Sequence, residues 1–146
     1  MTNVYFYHLP DSMGSLFPVL VNLVEMALEK DIDTLILCSD QAQATPLHNY
    51  IEQRFQLGER ISAAEKPTAR FSLCWADDAG DHHGMFINLT NRLPSWFSRF
   101  EYLAELIAGD DAFVERKREI YRLCRHRGYP LQYHDLTSQQ PQRALI

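Results

Sequence analysis

Apolar positions along this chain follow two alternating patterns. Val4-Tyr5-Phe6-Tyr7 and Leu35-Ile36-Leu37-Cys38 are short continuous apolar runs of the kind that forms strands buried on both faces. Between them, Leu16, Leu20, Leu23, Val24, Ala27 and Leu28 repeat at the spacing of an amphipathic helix, with Pro18 in the first turn, where proline is tolerated. Ser39 and Asp40 are natural N-caps for a second helix near Gln41 to Phe55. Gln56 to Arg70 has weak periodicity, contains Gly58 and Pro67, and reads mainly as a connection. Strands are expected at Phe71 to Trp75 and Gly84 to Leu89, and a helix from Ser95-Trp96 to about Ala108.

After a break at Gly109-Asp110-Asp111, a last helix is expected to run to about Arg127. Gly128 would take the left-handed position that ends it, and Pro130 would prevent continuation. Pro130 to Asp135 could add a terminal strand, followed by a Gln-rich, frayed tail. Strands alternating with helices predict an α/β fold. The expected form is one domain over residues 1–136 with a mostly parallel sheet flanked by helices, and a flexible tail over 137–146.

At 46% hydrophobic and 23% charged residues over 146 positions, the composition is that of a globular domain rather than a disordered chain. No apolar run exceeds four residues, so no membrane helix is expected. Met1-Thr2-Asn3-Val4 has no export signal, and Cys38, Cys74 and Cys124 are odd in number and widely spaced. A cytoplasmic, reduced protein is therefore expected, with Cys38 and Cys74 buried and Cys124 less protected near a fraying helix end.

The overall charge of −5 hides an asymmetry. Residues 116–127 carry Arg116, Lys117, Arg118, Arg122, Arg125 and Arg127 against one acid, Glu119, which leaves the rest of the chain at −10. A basic island on an acidic protein suits a local anionic partner better than direct nucleic-acid binding, which needs positive charge over a larger surface. On a helical projection with Arg118 at zero, Tyr121 lies near 300°, Arg122 near 40° and Arg125 near 340°, with Phe113, Ile120, Leu123 and Cys124 at about 140–240°. Arginine forks beside an aromatic ring can hold a carboxylate and cover an apolar side chain. A solvated helix face with no ligand is the equally weighted alternative.

Other chemistry is poorly supported. The first strand-to-helix turn, Pro10-Asp11-Ser12-Met13-Gly14-Ser15, lacks the glycines and lysine of a phosphate loop, which counts against a nucleotide-dependent enzyme. Asp77, Asp78, Asp81, His82 and His83 read as a solvated turn rather than a metal site, and Cys124 and His126 point apart on a helix. Neither a catalytic residue nor a cofactor is expected.

The segment Arg116-Lys117-Arg118-Glu119-Ile120-Tyr121-Arg122, continuing from Arg127-Gly128-Tyr129-Pro130 to Leu136, resembles the C-terminal signature of the DNA polymerase III chi subunit family. Val4 to Leu9, Leu35 to Leu47, Ile87-Asn88-Leu89, and Pro94, Phe97, Phe100 and Glu105 resemble further segments of the family in the same order. The resemblance implies a Rossmann-like fold without nucleotide chemistry and a non-catalytic role in bacterial DNA replication. It implies a bridge from the clamp loader, through the psi subunit or another clamp-loader subunit, to the acidic C-terminal tail of single-stranded-DNA-binding protein. An orphan homologue serving a helicase or repair partner is the alternative. The family's tail-binding arginine and tyrosine correspond to Arg118 and Tyr121, and a further basic position to Arg122. Where the family commonly has a basic residue one turn earlier, this chain has Val114, with Lys117 as the expected substitute and Arg125 farther along the rim.

Overall fold

The computed structural model describes residues 1–10 and 13–138, with three α-helices and seven strands among them. In chain order these are β1 (Asn3–His8), α1 (Leu16–Lys30), β2 (Thr34–Leu37), α2 (Gln41–Phe55), β3 (Ile61–Ala63), β4 (Phe71–Cys74), β5 (Met85–Asn88), β6 (Tyr102–Ile107), α3 (Asp111–His126) and β7 (Leu131–Asp135). The strands form one sheet in the order β3-β4-β2-β5-β6-β1-β7, and every pairing in it is parallel. The α/β single domain expected from the alternating pattern is thus present, with a sheet that is wholly parallel. Of the expected tail, residues 139–146 lie outside the described residues.

Covering both faces of the sheet explains why its central strands are apolar runs. On one face, Leu20, Leu23 and Val24 of α1 and Ala44, Leu47 and Ile51 of α2 pack on Tyr7, Ile36, Leu73, Ile87 and Leu106. On the other, Ile120 and Cys124 of α3, with Phe97 and Phe100, cover Phe6, Leu35, Leu37, Phe86, Leu103 and Ile107.

Two expectations are corrected. Tyr102 to Ile107 is not the second half of a helix but strand β6, between β5 and β1; only Ser95–Arg99 keeps a helical, 3₁₀ conformation. Leu103, Leu106 and Ile107 have helical spacing, and Leu, Ala and Glu are good helix formers. Burial on both faces at the centre of a parallel sheet removes the alternation that would mark a strand, and the tertiary context overrides local propensity. The connection after α2 also contains β3, whose three residues are too few to carry a periodic signal.

Cys124 is as fully buried as Cys38 and Cys74, because it lies on the sheet side of α3. Burial pushes the thiols of Cys38 and Cys74 up to about 12 and that of Cys124 to about 11. Little thiolate exists near neutral pH, so native-state labelling with a maleimide or a disulfide reagent should be slow at all three and fast only after denaturation. Rapid native labelling at Cys124 would mean that the end of α3 opens freely.

Candidate peptide-binding face on the last helix

Helix α3 is delimited at both ends by its own sequence. The Asp110 carboxylate accepts a hydrogen bond from the Phe113 amide at 2.9 Å, an N-cap that satisfies one orphan donor of the first turn. At the other end Gly128 has φ +78, its amide donates to the Arg125 carbonyl at 3.1 Å, and the Tyr129 amide donates to the Cys124 carbonyl at 3.2 Å. This is a Schellman arrangement, and it bears out the glycine stop expected there.

A buried polar cluster holds the middle of α3 to the sheet. Asn88 at the end of β5 is the register partner of Glu105 on β6. Lys117 reaches down from α3 to donate to Glu105 Oε1 at 2.5 Å and to the Asn88 carbonyl at 3.1 Å. Asn88 Nδ2 donates to Glu105 Oε2 at 3.0 Å and to the Arg92 carbonyl at 2.8 Å, and Thr90 donates to Asn88 Oδ1 through its amide and its hydroxyl. Lys117 and Glu105 are both 0% exposed. Burial pushes Glu105 up and Lys117 down, each towards its neutral form, and their mutual pairing opposes both shifts.

Lys117 is therefore not on the basic face, and it does not replace the charge missing at Val114. The reason is angular: its position falls at about 260° on the projection, next to Cys124 at about 240° and some 100° away from Arg118. Val114 is half-buried at the margin of α3 and contributes no charge. Leu123, expected on the apolar face, lies at its outer margin and is 37% exposed.

Arg118, Arg122 and Arg125 are exposed, as the projection indicates. Two of them are joined through Glu115, which stands outside the basic run. Glu115 accepts from Arg118 Nη1 at 3.4 Å and from Arg122 Nη2 at 3.0 Å. Hydrogen bonds from Arg122 and Arg118 hold the Glu115 carboxyl below its usual range. Glu115 stands just before the 116–127 window, so the window overstated the positive charge of the face. Its spacing of three and seven residues from the two arginines was the available signal. Arg116 is paired in turn with Glu119 at 3.0 Å.

Tyr121 is half-buried beside this arginine strip. Its ring meets Phe6 of β1 edge-on at 5.3 Å between centroids and Tyr133 of β7 edge-on at 5.6 Å. The arrangement pairs forked cations, side chains 58% and 61% exposed at Arg118 and Arg122, with an aromatic surface backed by the sheet. Such a face can bind a carboxylate and an apolar group at once.

The acidic and histidine-rich turn is used internally. Asp77 accepts from the Trp96 indole at 2.7 Å, Asp78 from the Gly80 amide at 2.8 Å, and His83 Nδ1 lies 3.5 Å from the Asp33 carboxylate. Among the described residues no group of three or more His, Cys, Asp or Glu side chains is placed to hold a metal ion, and no helix is long and apolar enough to cross a membrane.

Comparison with known proteins bears on the same residues. The family model described as DNA polymerase III chi subunit, HolC, matches residues 1–132, which include the whole of α3. DNA polymerase III subunit chi of Pseudomonas aeruginosa (strain PAO1) is 32% identical over 141 residues, covering 93% of this chain and 98% of that protein. The chain therefore belongs to the DNA polymerase III chi subunit family.

Proposed function

We propose that this protein is a non-catalytic accessory subunit of the DNA polymerase III holoenzyme. In this reading it links the clamp loader to the acidic C-terminal tail of single-stranded-DNA-binding protein. The observation that carries the reading is the strip of Arg118 and Arg122 beside half-buried Tyr121, in a chain of the chi family. Arg118 would pair with the terminal carboxylate while Tyr121 packs against the last apolar side chain, and Arg122 would contribute positive charge to the acidic stretch before it. Val114 would supply apolar margin and Arg125 would act at the rim. Neither a cofactor nor a direct contact with nucleic acid is part of this role.

Titrating a fluorescent peptide that copies this tail against the purified protein, followed by polarisation, tests the central claim. Saturable binding that weakens with salt but keeps a residue of affinity at high salt is expected, because screening removes the long-range attraction and leaves the apolar contact. No binding would remove tail recognition from the role. Copurification from native cells addresses the other end of the bridge: clamp-loader subunits or a psi subunit should accompany the protein. A helicase or repair protein in their place would identify an orphan homologue.

A further inference from the structure

Tyr133 lies outside the helix that carries the arginines, yet its ring stands against Tyr121, and His8 of β1 stands against Tyr133 in turn. In β7 the residues that face α3 are Leu131, Tyr133 and Asp135, alternating with Gln132 and His134. The Tyr133 ring is stacked at 19° and 6.3 Å on Phe6 and meets Tyr121 edge-on. Its hydroxyl lies 2.8 Å from His8 Nδ1 on β1. That bond and the flanking rings restrict the side chain to one orientation, but the residue remains 42% exposed on a strand that closes the sheet. A rigid, half-exposed aromatic ring costs little entropy to engage, which is why such rings recur as anchors in binding surfaces.

We propose that Tyr133 is a second aromatic wall of the tail site, oriented by His8, so that the partner's apolar C-terminal side chain is held between α3 and the edge of the sheet rather than on the helix alone. This inference rests on the tail-binding reading above. The occupant follows from charge. Asp110, Asp111 and Asp135 lie together at the carboxyl ends of β1, β6 and β7, around a cavity of about 330 Å³ that His8 and Val114 also border; Asp135 stands next to it through Thr137. Carboxylates are repelled from that end and drawn to Arg118 and Arg122, one and two turns farther along α3 than Val114. An acidic peptide ending in an apolar residue satisfies both parts, with its anions on the arginines and its apolar side chain on the Tyr121 and Tyr133 rings. Burial and the nearby Asp135 carboxylate push the Tyr133 hydroxyl up, and the Arg118 charge opposes them in part.

The test uses the labelled tail peptide with Tyr133→Ala, Tyr133→Phe and Arg118→Ala, each checked for an unchanged circular dichroism spectrum. Tyr133→Ala should weaken binding about tenfold or more, as loss of an aromatic anchor does, and Tyr133→Phe by less than about threefold, since the ring is kept. A measurement on the wild type needs no substitution: saturating peptide should protect Tyr133 from nitration by tetranitromethane. Tyr50, exposed on α2 across the sheet, serves as the control that should stay reactive. Full affinity in Tyr133→Ala, or unprotected Tyr133, together with loss of binding in Arg118→Ala would overturn the second wall and leave tail recognition standing. No binding by the wild type would overturn both.

Discussion

Replacing Lys117 by Met should cost about 3–5 kcal/mol of folding stability, because it strands the Glu105 carboxyl in a site with no access to water. That is a large share of the roughly 5–15 kcal/mol typical of a domain. The methionine fills the volume of the lysine stem, so the loss measures the missing cation rather than a cavity. Lys117→Met combined with Glu105→Gln should recover much of the loss, since a glutamine oxygen still accepts from Asn88 Nδ2 and no charge remains to be buried. Urea unfolding of the two single variants and the double gives the coupling directly. Single variants within about 1 kcal/mol of wild type would show that water reaches the pair.

The Lys117→Met variant should also respond to acid with an unusual sign. Burial already holds Glu105 above its ordinary value of 4.5 with Lys117 present, and removing the cation takes away the largest opposing influence. The folded state then binds a proton that the unfolded state releases. The contribution of Glu105 is fully favourable below its unfolded value and is lost as pH rises through the folded one. Relative to wild type, the variant should be least impaired near pH 4, below the unfolded value, and increasingly impaired as pH rises from there. Chemical denaturation at several pH values checks this, and a pH-independent difference would count against it.

Arg118→Ala should weaken tail-peptide binding by about 2–5 kcal/mol, whereas Arg125→Ala should cost under about 1 kcal/mol. Arg118 stands beside the half-buried aromatic edge, where a bound carboxylate loses water and the ion pair is correspondingly strong. Arg125 is exposed a further two turns along and contributes a screened charge. Glu115 gives the same experiment a variant of opposite sign. In the free protein its carboxylate occupies both Arg118 and Arg122, so an incoming tail has to displace it. Glu115→Gln should therefore tighten binding, mostly at low salt. Equal losses at Arg118 and Arg125, with no gain at Glu115, would describe a diffuse electrostatic patch instead of a defined carboxylate site.

Local rules were enough for several features because they act within a few residues of where they are written. The strand runs at Val4 and Leu35, the cap at Asp40, the glycine stop at Gly128 and the terminal strand after Pro130 all follow from periodicity, hydrogen-bonding geometry and backbone sterics. The helical projection likewise brought Arg118, Tyr121, Arg122 and Arg125 onto neighbouring parts of one surface, since 100° per residue is a property of the helix itself. What it could not supply was the angle at which the sheet meets that helix. Only packing decided that Lys117 faces inward to Glu105 and Asn88, residues 12 and 29 positions away, and that Leu123 stays partly outside. Packing also made Tyr102 to Ile107 a strand against its local preference, carried Phe6 and Tyr133 to the edge of Tyr121 from opposite ends of the chain, and set His8 against Tyr133. Those placements depend on the order of strands in the sheet, which burial of the whole core selects and no short window of sequence contains.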